Sequence, residues 1–529
     1  MFVSGVVVLS FPLKNVTRIA SHLQRASRLV ERVLYVKFER SSAIATNLKP
    51  SVENNCSSSS VENVSKQDLL RLVPDVYRIA STEVPSIDVR VLINPRLQLA
   101  FKPEVLFTDF DKIEQEFWLK YATSRFSVNL NKVEFFDCAD ENNKHNETAS
   151  LPPSDTQIFN NVCLGGTFDD LHNGHKVLLN EALLRCNNSF TVGVTDESMI
   201  KKKSLWELIA PVEQRINDLR DYLQDIDCSL KLTIVPISDP FGPAIEDENL
   251  DCLIVSEETV PGGKKINEIR QNKNMSSVHL FIVNLVKDKH HQSSLEEDKI
   301  SSSSLRLRKL GTLLRKPEIR PNLPNRPYLI GITGGIASGK THLCEKMKSL
   351  GAGIINCDLL AHKTYSNVDA PAYKQIVDTF GKSILNNESV IDRRKLGEIV
   401  FSDPAKLNLL NSIVWPATAA LVEEEISRLK KECDIIVLEA AVLLEAHWEY
   451  KVHEVWVSII PEEEAVTRLK SRNLLTDAEA RKRISSQLSN IERVKRAHVV
   501  FCSLWDYNFT ESQVDKAWNL LRSRLPKTN

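Results

Sequence analysis

Residues 328–341, which read YLIGITGGIASGKT, constrain the fold of this chain more than any other segment. An apolar run that predicts a β-strand leads into Gly334, and Gly339, Lys340 and Thr341 complete the pattern G-x-x-x-x-G-K-[ST]. The residues after this pattern predict a helix. Because strand and helix patterns also alternate through two large blocks of the chain, we predict parallel sheets of the α/β class. Ligands of such sheets bind at the carboxyl ends of the strands.

The loop between this strand and helix predicts a site for nucleotide phosphates. Its glycines let backbone N–H groups turn toward a phosphate, and the helix directs its positive end at the same anion. Lys340 would place a charge between the β- and γ-phosphates, and Thr341 would offer a hydroxyl to Mg²⁺. A chance match in a glycine turn is disfavoured, because strand, motif and helix occur together. The predicted nucleotide-binding residues are Gly334, Gly335, Ile336, Ala337, Ser338, Gly339, Lys340 and Thr341.

Two further features of this block predict phosphoryl transfer. Asp358 follows an apolar run at the end of a predicted strand, where a carboxylate can accept a proton from an attacking hydroxyl. The alternative for Asp358 is a helix N-cap. Arg468 and Arg472 lie one turn apart on a predicted helix and could close over phosphates. A solvated basic face explains either arginine equally well.

Residues 328–520 resemble the dephospho-CoA kinase family. The likeness is carried by GITGGIASGKT, by Asp358 with His362, by FGKSILNNESVIDRRKLGEIVF and LLNSIVWP, and by the arginine-rich segment that ends at Gln487. It implies phosphorylation of the ribose 3′-hydroxyl of dephospho-CoA with ATP and Mg²⁺, with Asp358 as general base and Lys340 as phosphate clamp. The run VVFCSLWDYNFT departs from the aspartate-asparagine strand that is usual in the family at this position.

A second candidate site lies in residues 161–175, NVCLGGTFDDLHNGH. A predicted strand leads into two glycines, and His172 and His175 are spaced to share one face of a helix. Both imidazoles could therefore meet one phosphate, and Gly174 would leave room for a nucleotide. An incoming phosphate is already an anion, so positioning and charge stabilisation would suffice for its transfer. The alternatives are two surface histidines, or half of a metal site that has no evident third ligand.

Two other segments of this block are rich in groups that bind phosphate. A run of three lysines ending at Lys203 follows a predicted strand, and a serine run about 130 residues beyond the histidines begins a predicted helix. The candidate catalytic residues of the block are His172, His175, Lys203 and Arg306. The candidate nucleotide-binding residues are Gly165, Gly166, Thr167, Phe168, Gly174, Ser302 and Ser303.

Residues 160–312 resemble the HxGH nucleotidyltransferases, and specifically eukaryotic phosphopantetheine adenylyltransferases. The matching runs are GGTFDDLHNGHKVLL, VGVTDESM, VSEETVPGGKKINEIR and KISSSSLR. The resemblance implies that 4′-phosphopantetheine is joined to the AMP part of ATP with release of pyrophosphate. The two resemblances together imply the last two steps of coenzyme A biosynthesis. They also imply a Rossmann-like domain followed by a P-loop kinase domain with a parallel sheet and a helical lid. In the alternative, only the kinase site is active and the remainder is a regulatory or interaction scaffold.

Composition divides the chain but adds little about its partners. Polar residues 139–157 and proline-rich residues 313–327 predict linkers, which separate an N-terminal region of unknown role (1–138), the adenylyltransferase-like block (158–312) and the kinase-like block (328–529). No internal repeat is evident. A formal net charge of -1 gives no electrostatic case for nucleic acid, so we expect small-molecule substrates. None of the ten cysteines forms a CxxC pair, which disfavours a zinc cluster.

Residues 14–40 carry seven basic and two acidic residues, together with apolar residues at alternating steps of three and four. This pattern predicts a helix with one apolar face, which either packs on its own domain or serves as a mitochondrial targeting or membrane-surface helix. We therefore expect the protein in the cytoplasm, the mitochondrion or both. The apolar residues are Val16, Ile19, Leu23, Ala26, Val30 and Val33.

Overall fold

The computed structural model describes residues 1–12, 17–40, 44, 64–110, 113–136, 156–400 and 402–526. They form two compact units, an N-terminal unit of residues 1–305 and a C-terminal unit of residues 306–529. The N-terminal unit contains two five-stranded parallel sheets and the C-terminal unit contains one. The predicted α/β class with parallel sheets is therefore confirmed.

The first sheet belongs to residues 1–136, which we call the first domain. Its strand order is β3-β2-β1-β4-β5, and every neighbouring pair is parallel. The central strand β1 is buried on both faces, which explains its continuous run of valines. The strands are β1 (Phe2–Phe11), β2 (Val30–Arg40), β3 (Asp88–Leu92), β4 (Val105–Thr108) and β5 (Lys132–Phe135). The helices are α1 (Thr17–Ser27), α2 (Lys66–Glu83) and α3 (Gln115–Phe126).

Helix α1 packs inside its own domain. Ile19, Leu23 and Ala26 are fully buried in the apolar core, which confirms the domain-packing alternative for this helix. The predicted apolar face of this helix was too long, because Val30 and Val33 belong to strand β2. Val16, the first residue of that predicted face, lies outside the described residues. Since its apolar face is buried, α1 could reach a membrane through that face only if the domain opened. The location of the protein in the cell stays a prediction.

The second sheet belongs to residues 156–305, the second domain, and its order is β10-β9-β6-β7-β8. Its strands are β6 (Phe159–Gly166), β7 (Cys186–Thr195), β8 (Lys231–Ile237), β9 (Cys252–Ser256) and β10 (His279–Val283). Its helices are α4 (Asn173–Arg185), α5 (Glu197–Ile200), α6 (Val212–Ile226), α7 (Val260–Asn272) and α8 (Ser302–Lys309), the last of which crosses the boundary between the two units.

The two sheets of the N-terminal unit have the same topology. Counted along each domain, the strand order of both is third, second, first, fourth, fifth. The expectation of no internal repeat was therefore wrong at the level of the fold, although no repeated motif is visible in the sequence. The two domains are also joined directly, because the amides of Ile93 and Asn94 both donate to the carbonyl of Ile226, at 2.9 and 3.0 Å.

The C-terminal unit is built on a sheet of order β12-β13-β11-β14-β15. Its strands are β11 (Tyr328–Gly334), β12 (Gly353–Asn356), β13 (Ile435–Glu439), β14 (Glu454–Ile459) and β15 (Val499–Cys502). Its helices are α9 (Lys340–Ser349), α10 (Cys357–Lys363), α11 (Tyr373–Phe380), α12 (Arg393–Val400), α13 (Pro404–Leu429), α14 (Glu462–Asn473), α15 (Asp477–Ser485), α16 (Asn490–Arg496) and α17 (Tyr507–Arg524). Among the described residues, no helix is both long and apolar enough to cross a membrane.

The packing of α1 predicts the effect of core truncation. Leu23→Ala should lower the free energy of unfolding of the N-terminal unit by about 2–5 kcal/mol, because it removes buried methyl groups and leaves a cavity. Ser21→Ala, on the exposed side of the same helix, is the matched control and should change it by less than about 0.5 kcal/mol. Chemical unfolding of both variants measures the difference. Equal stabilities would contradict a helix buried in the core.

Candidate active sites

The phosphate loop of the C-terminal unit follows the central strand β11. Gly339 is the N-cap of α9 with φ of +82°, and Ala337 has φ of +62°, so the chain curls tightly between strand and helix. Gly334 admits no side chain, since a Cβ there would lie 2.3 Å from the carbonyl oxygen of Ser458. The side chain of Ser338 is fully buried, and its carbonyl accepts hydrogen bonds from Ser458 and Ser503, at 2.5 and 2.9 Å.

Oxygen ligands suited to a magnesium ion meet at the start of α9. The hydroxyl of Thr341 donates to Oε1 of Glu439 at 2.9 Å, and the amide of Asn356 donates to Oε2 of the same carboxylate at 2.8 Å. Glu439 ends strand β13 and is nearly buried. The sequence analysis reached Glu439 only as the end of a strand. Its role as the partner of Thr341 depends on pairing between segments about 100 residues apart.

Asp358 lies beside this loop in the first turn of α10. Its carboxylate accepts a hydrogen bond from the amide of Ala441 at 3.3 Å. The side chain of Asn356 caps α10 by accepting from the amide of Leu359, so the N-cap alternative for Asp358 is wrong. Desolvation by the surrounding protein raises the pKa of Asp358, and the Ala441 amide and Lys340 oppose the shift.

Lys340 has its ammonium against the backbone of the same loop. It donates to the carbonyls of Gly334 and Gly335, at 3.0 and 3.1 Å. Burial lowers the pKa of Lys340, and the charge of Asp358 opposes this shift. The two side chains therefore lie close enough to influence each other electrostatically, at the position where a transferred phosphoryl group would need a base and a cation.

The two arginines of α14 lie in different surroundings. Arg468 donates to the carbonyl of Ala337 at 3.2 Å and to the hydroxyl of Ser503 at 2.8 Å, so its guanidinium lies against the phosphate loop. Arg472 is exposed and has neither a hydrogen bond nor an ion pair with the part of the chain that the structure describes. The structure thus brings only Arg468 to the loop.

Three other residues around this loop were missed by the sequence analysis. Oε1 of Gln487 accepts a hydrogen bond from the amide of Ile336 at 2.8 Å. Arg493 is buried, and burial lowers its pKa although Glu445 opposes the shift. Ser503 contacts Arg468 directly. Gln487 follows α15, Arg493 lies in α16 and Ser503 follows β15. No local sequence pattern shows that these three residues meet the loop.

The histidine pair of the second domain has a fixed geometry. His172 is the N-cap of α4, and its Nδ1 accepts a hydrogen bond from the amide of His175 at 3.3 Å. The two rings are stacked, with centroids 3.8 Å apart and an interplanar angle of 17°. Because Nδ1 of His172 is an acceptor, the neutral ring carries its proton on Nε2. That Nε2 lies 3.4 Å from the hydroxyl of Ser302.

Both histidines are neutral near pH 7. Burial lowers the pKa of His172 well below its usual range, and His175 and Lys176 lower it further. Burial also lowers the pKa of His175 to about 4; contacts with Asp170 oppose that shift, whereas the charge of Lys203 adds to it. The rings can therefore donate neutral N–H groups to a phosphate, while Lys203 supplies a nearby positive charge.

Glycines around the pair make room for aromatic rings. A Cβ on Gly174 would lie 3.1 Å from the ring of His172, and a Cβ on Gly166 would lie 3.0 Å from the ring of Phe168. Phe168 is buried with φ of +50° and packs on His175, with ring centroids 5.3 Å apart. We expected Gly174 to leave room for a nucleotide and Phe168 to bind one. Gly174 lies against His172 and Phe168 against His175, and their roles in nucleotide binding stay predictions.

Two connections fix the loop between β6 and α4. The carbonyl of Thr167 accepts from the guanidinium of Arg215 at 2.7 Å, and its hydroxyl accepts from Thr195 at 3.2 Å. Arg215 lies in α6 and is buried; the sequence analysis missed it because it belongs to no recognisable motif. Gly165, the residue before the end of β6, pairs with Gly193, and among the described residues no atom outside its chain neighbours lies closer than 3.8 Å to a Cβ placed on it.

The start of α8 lies next to His172. The hydroxyl of Ser302 donates to the carbonyl of Asp169 at 3.0 Å, and Ser303 follows in the same turn. Arg306 is one turn further along α8 and is buried. Among the residues that the structure describes, no cluster of three or more His, Cys, Asp or Glu side chains could hold a metal ion.

Comparison with known proteins matches a family model to each of the two domains that hold these candidate sites. The family model for dephospho-CoA kinase matches residues 328–503. The dephospho-CoA kinase of Carboxydothermus hydrogenoformans is 41% identical over 187 residues, which cover 35% of this chain and 90% of that protein. The chain belongs to the dephospho-CoA kinase family. The enzyme of Enterococcus faecalis is 36% identical over 188 residues, which cover 36% of this chain and 94% of that protein.

The second domain also has a family. The model for cytidylyltransferase-like proteins matches residues 163–308, which identifies a domain of nucleotidyltransferase type. Both families in one chain support a bifunctional coenzyme A synthase that uses ATP as a co-substrate. A solved dephospho-CoA kinase from Campylobacter jejuni is 28% identical, covers 37% of this chain and 97% of its own, and has a TM-score of 0.30.

The contact between Gly174 and His172 predicts a sensitive position. Gly174→Ala would place a methyl group 3.1 Å from the His172 ring, and the ring must shift. Nucleotidyl transfer, measured as pyrophosphate release, should therefore fall by about tenfold or more. Gly262→Ala is the matched control, since a Cβ on that helical glycine meets no atom within 4 Å. Equal rates for the two variants would contradict the geometry described for the pair.

Proposed function

We propose that the chain catalyses the last two steps of coenzyme A biosynthesis. In the first, ATP and 4′-phosphopantetheine would give dephospho-CoA and pyrophosphate at the histidine pair. In the second, the 3′-hydroxyl of dephospho-CoA would be phosphorylated by ATP at the phosphate loop of the C-terminal unit. The proposal is carried by one observation: a stacked His172–His175 pair on a nucleotidyltransferase-type domain precedes a dephospho-CoA kinase domain on the same chain.

The first reaction needs no general base. An oxygen of the 4′-phosphate would form a bond to the α-phosphorus of ATP, and the bond from that phosphorus to the bridging oxygen of pyrophosphate would break. The neutral imidazoles of His172 and His175 would donate N–H groups to the charged oxygens in the transition state. Lys203 and Arg306 would balance the developing charge, and Ser302 with Ser303 at the start of α8 would receive the leaving pyrophosphate.

The second reaction would couple a proton transfer to the attack on phosphorus. Asp358 would take the proton of the ribose 3′-hydroxyl while that oxygen attacks the γ-phosphorus of ATP, and ADP would leave. Because its pKa is raised, Asp358 in its ionised form is a better proton acceptor than an ordinary aspartate. Lys340, Arg468 and the amides of the phosphate loop would hold the γ-phosphoryl group in line.

A magnesium ion fits the oxygen atoms at the start of α9. The hydroxyl of Thr341 and the carboxylate of Glu439 are 2.9 Å apart, and hydroxyl and carboxylate oxygens are ligands that Mg²⁺ accepts, directly or through water. These two residues would hold the ion. When bound, it would neutralise part of the charge on the β- and γ-phosphates.

The two-site proposal predicts separable defects. Asp358→Asn should stop formation of coenzyme A while dephospho-CoA and pyrophosphate still accumulate, because only the base of the second reaction is lost. His172→Ala with His175→Ala should stop use of 4′-phosphopantetheine but leave phosphorylation of added dephospho-CoA. Chromatography of the products measures both. If the histidine variant still released pyrophosphate from 4′-phosphopantetheine and ATP, the pair would not be the site of the first reaction. If the wild-type protein released none, the alternative in which only the kinase site is active would hold.

The carboxylate beside Thr341 predicts the magnesium dependence of the kinase step. Glu439→Gln keeps the size of the side chain but removes the charge, so the Mg²⁺ concentration for half-maximal dephospho-CoA phosphorylation should rise by about tenfold or more. The exposed Glu432→Gln, just before β13, is the control and should leave it unchanged. An unaltered magnesium titration for folded Glu439→Gln would contradict the proposal that this carboxylate holds the magnesium ion.

A further inference from the structure

One side of helix α4 is tied to the first domain by polar groups. Asn173, Lys176 and Asn180 are three and four residues apart, so they form a stripe along the helix. Each makes a hydrogen bond to the first domain, which consists of residues 1–136. The bonds are Asn173 Nδ2 to Ser81 Oγ (2.9 Å), Lys176 Nζ to Asp88 Oδ1 (2.5 Å), Lys176 Nζ to the carbonyl of Val89 (3.0 Å) and Asn180 Nδ2 to Tyr77 Oη (3.2 Å).

Lys176 makes the charged contact among these ties and lies beside the histidine pair. It follows His175 directly in the chain, and its side chain is only 3% exposed. Its partner Asp88 also accepts two hydrogen bonds from Arg90, at 2.9 and 2.7 Å. Arg90 continues the network to the fully buried Asp225 at 2.8 Å. An ionic network that is buried except at Asp88, whose side chain is 33% exposed, therefore begins one residue from the histidine pair.

Such a network is a poor source of stability, because the desolvation of buried charges offsets most of their attraction. What the network can fix is the orientation of helix α4. Apolar packing would allow α4 to rotate or slide by small amounts, whereas four directional hydrogen bonds from three side chains favour one orientation of the helix. That orientation decides where His172 and His175 present their Nε2 atoms, and displacements of about 1 Å can change a rate a hundredfold.

Residues 1–136 contain a single histidine, His22 in α1, so they hold no comparable pair. The first domain repeats the strand order of the second domain, but the sequence between its first strand and first helix, PLKNV, contains no histidine. Its polar side chains at this interface are instead directed at the helix that carries the motif. The repeated fold thus supplies a rigid support for the active copy.

We propose that Asp88 of the first domain, through Lys176, is a positioning residue for adenylyl transfer. It holds α4 in the orientation that lets the histidine pair stabilise the transition state. This inference rests on the proposed function of the pair. It assigns to residues 1–136 a role in the first reaction, which nothing in their own sequence indicates.

The test is a double variant, Lys176→Met with Asp88→Asn. It removes both charges of the pair together, so no buried charge is left without a partner, and Arg90 keeps Asp225. The kcat of pyrophosphate release from 4′-phosphopantetheine and ATP should fall by about tenfold or more, while both KM values change by less than about threefold. Phosphorylation of dephospho-CoA by the same protein should be unchanged, which measures the amount of active C-terminal unit, and the melting transition of the N-terminal unit measures how much of that unit is folded.

A second variant separates positioning from stability. Arg96 pairs with Asp225 at the same interface, near the C-terminal end of α6, and has no direct bond to Lys176 or Asp88 among the described residues. Arg96→Met should lower the melting temperature of the N-terminal unit but leave the kcat of pyrophosphate release within about twofold per folded molecule. If the double variant does not fold, Lys176→Met alone gives the same reading, because Asp88 retains both bonds from Arg90.

The possible outcomes are distinct. A folded Lys176 variant with wild-type kcat would overturn the inference, and so would an equal loss of kcat in Arg96→Met. Wild-type protein that released no pyrophosphate from these substrates would instead refute the proposed function. Loss of kcat confined to the Lys176 variants, with KM and the kinase step preserved, is the result that the inference predicts.

Discussion

The parallel pairing of buried strands is the constraint on which both sites depend. Parallel neighbours end at the same edge of a sheet, so loops that are far apart in the chain meet there. In the C-terminal unit this places Gly334, Asn356 and Glu439, the last residues of β11, β12 and β13, side by side. In the second domain, β6 ends in Gly166 and α4 starts shortly afterwards with the histidines. Each site combines a glycine turn, the start of a helix and side chains from neighbouring strand ends.

Much of this could be predicted from the sequence because the signals are local. Apolar runs located the strands that end at Gly334 and Glu439, and short motifs located Lys340, Asp358 and His172. The remainder depends on contacts between distant segments. Arg215 lies 48 residues from the Thr167 carbonyl that it holds, and no periodicity reveals that contact. The strand repeat in the first domain was hidden for the same reason, since strand order is a matter of which segments pair. The length of α1 was misjudged because helical and strand spacings coincide over a few residues at Val30 and Val33.

The two sites use different electrostatics for related chemistry. The histidine pair is neutral because burial lowers both pKa values. In the proposed mechanism it would act as a set of N–H donors toward a substrate that brings its own negative charge. The phosphate loop would have to activate a neutral hydroxyl, and there a carboxylate of raised pKa lies with the cations Lys340 and Arg468. In both sites the charged and polar side chains are positioned by the protein itself. The residues that position them include some outside the motifs, such as Ser503 at the phosphate loop and Arg215 beside the histidine pair.

The central claim is that two chemically different transfers from ATP occur on one chain. The most direct measurement uses the full chain with 4′-phosphopantetheine and ATP labelled at either the α- or the γ-phosphate, followed by location of the label in purified coenzyme A. The account predicts that α-label enters the diphosphate bridge and γ-label enters the ribose 3′-phosphate, each once per molecule. Product that lacks the α-label, or that carries the γ-label in the bridge, would contradict it.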